Sequence, residues 1–243
     1  MEEIEGPLIF EWLAGRLGHA VPRDLLACWF VMALLIILAA LALRRVSLRP
    51  GGLQNFFEMV WEGVSGLCSQ LGGHENLRFM PLYATLFFFI LFSNWMGLIP
   101  GLASPTVNVN VNAAMALIVA FTTEFMSVRE KGPLGYLKHL CGPPYWLAPM
   151  FIVIRGLEIF TRPLSLTMRL FGNMVAKEII LGVLVYMATL FYFSADLTSK
   201  LLLPVPLILR PAIILLGVLV GVVQALVFTA LSMSYIGSAY EKH

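Results

Sequence analysis

The chain has 243 residues, of which 59% are hydrophobic and 12% charged, and its mean hydropathy is +0.86. Soluble domains contain about 45 to 50% apolar residues, so the composition excludes an ordinary soluble protein and predicts a single polytopic membrane domain, residues 1–243. The net charge of +2, with no long run of like charges, argues against nucleic acid as a partner. The start at Met1 lacks the features of a cleaved signal peptide, so we expect the first apolar span to be retained.

Five apolar segments are long enough to predict membrane-crossing helices. In chain order they are residues 25–43, 79–99, 113–128, 149–193 and 201–240. Asp24 is the expected N-cap of the first helix, and the last helix is expected to run on from Pro211. The predicted fold class is therefore an all-α polytopic membrane protein.

A sixth segment, residues 53–71, has apolar residues at helical spacing and polar residues on the opposite face. This pattern predicts an amphipathic helix that lies along the membrane surface. The alternative is an ordinary helix packed on a soluble domain, which the composition does not support.

Basic residues follow the first and third spans and indicate the orientation of the chain. Arg44, Arg45 and Arg49 follow the first span, and Arg129 and Lys131 follow the third. Because positive charge is enriched in cytoplasmic loops, we expect the N-terminus outside and the C-terminus in the cytoplasm.

The last two spans are too long to stand upright in a bilayer. Residues 149–193 would extend about 67 Å as one helix, against a hydrocarbon thickness of roughly 30 Å. They therefore predict a long, steeply tilted helical hairpin, joined by the polar turn from Ser194 to Lys200.

Polar residues follow one face of the first long helix. Ser165 and Asn173 lie about 40° on either side of Arg169, and Glu158 lies near the same direction unless Pro163 shifts the helical phase. Ionisable groups inside apolar helices are functional candidates because they cost several kcal/mol unless paired or hydrated. The alternative for Arg169 is a structural ion pair with a glutamate of the same chain, Glu158 or Glu178.

A second polar stripe on the last helix includes Gln224, whose alternative role is an ordinary hydrogen bond between helices. Lys177 is a further cation two turns after Arg169, and a local pair with Glu178 is its alternative role.

Three motifs make the sequence recognisable. They are the run from Arg162 to Met174 followed by Glu178, the run from Asn94 to Gly101 followed by Pro105-Thr106, and Gln224-Ala225 with Phe228 and Tyr235. Together they closely resemble subunit a of the F-type ATP synthases, and the resemblance covers roughly residues 55–240.

The resemblance implies a non-catalytic membrane stator that translocates H⁺ or Na⁺ and needs no cofactor. Its implied partners are a ring of c subunits, the b-type peripheral stalk, the remaining Fo and F1 subunits and the lipid of a bacterial plasma membrane. Arg169 would face the ring. Glu178, Gln224 and Asn108 are assigned to an outer half-channel, and Glu158 to an inner one.

The chain departs from the family pattern at several positions. Asn108 and Arg155 occupy positions where relatives usually have acidic residues, and Gly217 occupies a position that is often histidine. Lys177 is an additional cation. These differences leave fewer proton-relay groups in the outer half-channel, and they leave the choice between H⁺ and Na⁺ open.

Two other classes of function compete with the stator. A self-contained ion channel or secondary transporter would line a pore with its own polar stripes, but such transporters often have internal repeats and none is evident here. A membrane anchor or assembly factor would have no reason to keep an arginine in the middle of an apolar helix.

Overall fold

The computed structural model describes residues 22–44, 51–99, 101–102, 104–141, 147–194 and 196–240, and the regular elements in these ranges are helices. The α-helices are α1 (Arg23–Leu43), α2 (Gly52–Gly72), α3 (Met80–Met96), α4 (Val109–Cys141), α5 (Ala148–Phe193), α6 (Leu197–Leu202) and α7 (Pro204–Ser238). Short 3-10 helices, His74–Phe79 and Pro105–Val107, precede α3 and α4.

Five helical segments are long and apolar enough to cross a membrane, which confirms the predicted fold class. They are Arg23–Ala42, Glu75–Met96, Val109–Pro133, Ala148–Phe193 and Lys200–Ser238. Large apolar side chains on these segments are exposed, including Phe121 at 72% and Phe160 at 76%. An apolar surface of this extent requires lipid or protein around it, so the chain is an integral membrane protein.

Helix α4 is longer than the predicted third span at both ends. It begins at Val109 instead of residue 113, so the four residues before the predicted span form its first turn. Its C-terminal end runs beyond residue 128 to Cys141, with a break at Gly132, whose φ is 70°. Pro133 explains the position of this break, because the residue before a proline avoids the helical conformation. Glycine at 132 adopts the positive φ without strain.

Both long helices continue through an internal proline. Helix α5 continues through Pro163 for 46 residues, about 69 Å. Helix α7 begins at Pro204 and not after Pro211. Proline at the first position of a helix loses no hydrogen bond, so Pro204 is a favourable first residue for α7. Pro211 lies inside the helix and removes one backbone hydrogen bond.

The first helix begins one residue earlier than its predicted cap. Asp24 lies inside the first turn of α1, and backbone bonds from Leu25 and Leu26 to the carbonyl of Pro22 start the helix. The expected N-cap role of Asp24 is therefore wrong. Arg45 and Arg49, which support the predicted orientation, lie outside the described residues, as do the start of the chain and residues 241–243.

The chain forms two compact units. The first unit contains residues up to Leu35, Phe89–Asn108 and Leu170–Ala225. In its core, Ala27 and Val31 of α1 pack against Met96 of α3. The single membrane domain that we inferred from composition stays a prediction.

The second unit contains Ile36–Phe88, Val109–Arg169 and the chain from Leu226 onward. Its buried centre includes Asn76, which joins two segments distant in sequence. The Asn76 amide donates to the carbonyl of Met233 at 2.8 Å, and the Tyr83 hydroxyl donates to the Asn76 side-chain oxygen at 2.6 Å. These bonds satisfy a buried amide that would otherwise be costly.

Helix α2 has the amphipathic character expected of residues 53–71. Phe57 contacts Phe88 of α3 at a ring distance of 4.8 Å, and Val64 and Cys68 are buried. Leu53 and Trp61 remain exposed at 48% and 46%. Exposed leucine and tryptophan suit a membrane interface, and the interfacial position of α2 stays a prediction.

We expect Tyr83→Phe to destabilise the protein by about 1 to 3 kcal/mol, because the Asn76 oxygen is left buried without its donor. Thermal unfolding of the detergent-solubilised protein measures this effect. Tyr192→Phe is the matched control, since Tyr192 is 67% exposed. Equal unfolding temperatures for the two variants would contradict the role of the Tyr83 hydroxyl.

Candidate functional site

Helix α5 presents most of the candidate residues. Ser165, Arg169 and Asn173 follow Pro163, so any distortion at that proline leaves their spacing of four residues intact. All three side chains are exposed, whereas Leu166 and Leu170 are buried at 2% and 0%. The sequence therefore places a polar strip on the outward face of α5 and an apolar strip on its packed face.

Arg169 is the charged centre of that strip. Among the described residues of its own unit, its guanidinium has no hydrogen-bond or ion-pair partner. Glu158, one of its candidate partners, pairs with Arg162 instead at 3.1 Å. A permanent charge on an otherwise apolar segment requires water or an external anion for stabilisation.

Asn173 of the first polar stripe contacts Gln224 of the second. The Asn173 amide of α5 donates to the Gln224 side-chain oxygen of α7 at 2.7 Å. Gln224 is only 5% exposed, and its amide nitrogen has no hydrogen-bond partner within the described part of the chain. This donor is available to a water molecule or a polar group that the chain itself does not supply.

Lys177 lies in a space that a glycine leaves open. Its ammonium group donates to the backbone carbonyl of Asn94 at 3.1 Å, and the local pair with Glu178 stays an alternative. A Cβ atom at residue 217 would lie 3.1 Å from Cδ of Lys177 and 2.7 Å from Cδ2 of Leu98. Gly217 therefore leaves room for the side chains of Lys177 and Leu98.

Asn94 is the buried centre of a hydrogen-bond network in the first unit. Its side-chain oxygen accepts from Thr106 at 3.2 Å, and its amide lies 3.5 Å from the carbonyl of Gly221. The neighbouring Trp95 donates to the carbonyl of Val218 at 3.3 Å. The sequence identified this Asn-Trp pair only as part of a family motif, because its partners on α7 are more than 120 residues away.

Asp24 contacts the candidate residue Asn108, a contact that sequence reasoning missed. The Asn108 amide donates to a carboxylate oxygen of Asp24 at 2.6 Å, within the first unit. The loop after Pro105-Thr106 thus has a carboxylate beside it, supplied by α1 and not by the loop itself. The available signal was an acidic residue at the end of an apolar span, which we interpreted as a helix cap.

The remaining candidates are the two glutamates of α5, Glu178 and Glu158. Glu178 is half-buried on α5, one residue after Lys177. Glu158 is exposed and paired with Arg162, whose guanidinium lies 5.2 Å from the ring centre of Tyr235. The structure thus joins Asn173 to Gln224 and Asn108 to Asp24, and it pairs Glu158 with a neighbouring cation.

We expect Gly217→Ala to displace Lys177 or Leu98 and to destabilise the protein by about 1 to 3 kcal/mol, as overpacking does. The measurement is thermal unfolding in detergent. Gly182→Ala on α5 is the control, because nothing lies within 4 Å of its added Cβ atom, and alanine favours a helix there. A Gly217 variant as stable as the Gly182 variant would contradict the close packing.

Comparison with known proteins identifies close similarities. The model of the family described as ATP synthase A chain matches residues 25–237. The chain is 39% identical to ATP synthase subunit a 2 of Syntrophotalea carbinolica, over 97% of both chains. It is 45% identical to ATP synthase subunit a 1 of the same organism, over 88% of this chain and 84% of the relative. Identity to ATP synthase subunit a of Geotalea uraniireducens is 43%, over 88% of this chain and 86% of the relative.

Proposed function

Because this chain belongs to the ATP synthase A chain family, we propose that Arg169 is the fixed charge that couples ion flow to rotation in the Fo sector. The chain is a non-catalytic membrane subunit, and catalysis of ATP synthesis belongs to the F1 subunits of the complex. The transported ion is H⁺ or Na⁺. The proposed immediate partners are the c-subunit ring and the b-type peripheral stalk.

The single observation that supports this role is the environment of Arg169. Its guanidinium is exposed on a long apolar helix and has no anionic partner among the described residues of its unit. Arginine keeps its charge in surroundings where lysine could lose a proton. An unpaired, permanent cation at this position is suited to meet a carboxylate that another protein brings to it.

The physical effect of such a meeting is large enough to control ion release. At an effective dielectric constant of about 20, a positive charge about 4 Å from a carboxylate is worth about 4 kcal/mol. That energy favours the dissociated carboxylate by roughly a thousandfold. A c-subunit carboxylate therefore releases its ion as it passes Arg169, and no ion can cross without a turn of the ring.

Two offset half-channels then load and unload the ring. We assign Glu178 and the Asn173–Gln224 pair to the outer half-channel, because Glu178 lies nine residues, or about 13.5 Å, beyond Arg169 toward the proposed outside. Lys177 lies on the same stretch of α5. The orientation rests on the basic residues after the first and third spans, with the N-terminus outside and the C-terminus in the cytoplasm.

Asp24 and Asn108 extend the outer half-channel toward the exterior. The carboxylate that relatives usually have in the loop is here Asp24, bonded to the Asn108 amide at 2.6 Å. The Asp24 carboxylate, which lies 3.8 Å from the Arg23 side chain, places a negative charge at the proposed entrance, where it attracts cations. In this proposal, Asp24 of α1 supplies the carboxylate that the loop lacks at Asn108.

The decisive variant for the central residue is Arg169→Lys. We expect ATP synthesis driven by an imposed ion gradient and membrane potential to fall by at least about tenfold, because a compact ammonium does not replace a planar guanidinium. Immunoblotting for assembled subunit separates lost coupling from lost assembly. Arg129→Lys, an exposed arginine on α4, is the control.

Normal synthesis by assembled Arg169→Lys and Arg169→Ala complexes would remove Arg169 from the central role. A purified chain that conducts ions by itself in liposomes would instead support a self-contained channel, because a stator half should pass few ions without the ring.

A second variant tests the outer entrance. We expect Asp24→Asn to lower gradient-driven ATP synthesis severalfold. Asp24→Glu should retain most of the activity, because the negative charge attracts the cation and the exact length of the side chain matters less. Asp196→Asn is the matched control, because Asp196 is exposed in the turn predicted to lie on the same side. Equal rates for the Asp24→Asn and Asp196→Asn variants would contradict a role for Asp24.

A further inference from the structure

A cavity in the second unit is lined by polar side chains to which the proposed function assigns no role. Its volume is about 10 Å³, which is room for about one water molecule. Small and branched apolar residues such as Ala116, Val119 and Leu166 form most of its wall. Its polar lining residues are Thr123, Glu124, Arg162 and Tyr235. The cavity therefore brings a carboxylate and a guanidinium to a largely apolar space.

Glu124 is the least expected of these groups. It lies within the membrane span Val109–Pro133 and is half-buried. An ionisable residue in such a segment is costly and marks a functional site by default. Its described hydrogen-bond partner is Tyr136, whose hydroxyl donates to a Glu124 carboxylate oxygen at 2.5 Å.

The helix break at Gly132 makes this contact possible. Tyr136 follows Glu124 by 12 residues, which would separate them by about 18 Å in a continuous helix. The positive φ of Gly132 and the following Pro133 redirect the chain, so that Tyr136 reaches back to Glu124. Burial, and then the hydrogen bond to Glu124, raise the pKa of Tyr136 to about 12, so its hydroxyl remains a donor at neutral pH.

The other glutamate near this cavity has a different electrostatic environment. Glu158 forms an ion pair with Arg162 at 3.1 Å, and Arg162 in turn lies over the ring of Tyr235 at 5.2 Å. Among the described residues, Glu124 forms no ion pair with any cation. Glu158 is therefore engaged by a cation of its own helix, whereas the described partner of Glu124 is the Tyr136 hydroxyl.

The position of the cavity along α5 relates it to Arg169. Arg162 precedes Arg169 by seven residues, or about 10.5 Å along the helix, on the side that the basic residues assign to the cytoplasm. With the proposed orientation, the cavity thus lies on the cytoplasmic side of Arg169.

We propose that the Glu124 carboxylate is the ion-accepting group of the inner half-channel and that Tyr136 holds it in position. This inference rests on the proposed function. For H⁺, the carboxylate accepts a proton released from a ring carboxyl and transfers it to cytoplasmic water, so that it ends deprotonated as it began. For Na⁺, the carboxylate and hydroxyl oxygens of the cavity provide the hard ligands that this cation prefers.

The principal test is Glu124→Gln in the assembled complex. We expect both ATP synthesis driven by an imposed potential and passive ion conduction through Fo membranes stripped of F1 to fall by about tenfold or more, as loss of a positioned proton-transfer group does. Glu124→Asp should restore part of the rate. Glu130→Gln, an exposed carboxylate on the same helix, should conduct like the unmodified protein.

Separate imposed gradients of H⁺ and Na⁺ identify the ion. Glu124→Gln conduction equal to that of Glu130→Gln under both gradients would overturn the proposal.

An accessibility measurement keeps the proposal testable if Glu124→Gln does not assemble. Ala120 lines the same cavity, and Ala120→Cys can be introduced into a chain whose three native cysteines are replaced by serine. A membrane-impermeant thiol reagent added from the cytoplasmic side should block passive conduction through this variant. Conduction that the reagent leaves unchanged would overturn the proposal.

These outcomes are distinct from a failure of the proposed function. If Arg169→Ala abolishes synthesis while Glu124→Gln and reagent-treated Ala120→Cys conduct normally, only the assignment of Glu124 is wrong. If Arg169→Ala leaves synthesis intact, the stator mechanism itself is wrong.

Discussion

The positive charge of Arg169 on an apolar helix is the constraint on which the proposed function depends. A guanidinium in a membrane-spanning helix cannot avoid the cost of its charge by losing a proton, so it must be solvated or paired. Its own chain offers no partner among the described residues of its unit, and Glu158 pairs with Arg162. The continuous helix α5 fixes Ser165 and Asn173 one turn on either side of this charge, since α5 runs unbroken from Ala148 to Phe193.

Close packing in the first unit explains how polar groups are retained near such a helix. Gly217 and Gly221 let α7 approach residues of α3 and α5 at distances that a side chain would prevent. The buried Asn94 then supplies a carbonyl to Lys177 and an amide oxygen to Thr106. These hydrogen bonds offset the cost of removing the Asn94, Thr106 and Lys177 polar groups from water.

Much of the fold could be predicted from the sequence, because hydropathy and length determine which helices can span a bilayer. The five spans, the amphipathic helix α2 and the polar face of α5 are local properties of this kind. The contacts of Asp24 with Asn108 and of Lys177 with Asn94 could not be predicted, since each joins residues more than 80 positions apart. The role of Gly132 was also missed, because a break that turns Tyr136 back to Glu124 depends on tertiary contacts.

The most direct measurement is a structure of the assembled ATP synthase that resolves the Arg169 side chain and the nearest carboxylate. We expect the guanidinium within about 6 Å of a c-subunit carboxylate, the range over which an opposite charge shifts ionisation strongly. A guanidinium paired with a glutamate of its own chain, with no rotor helix beside it, would contradict the central role of Arg169.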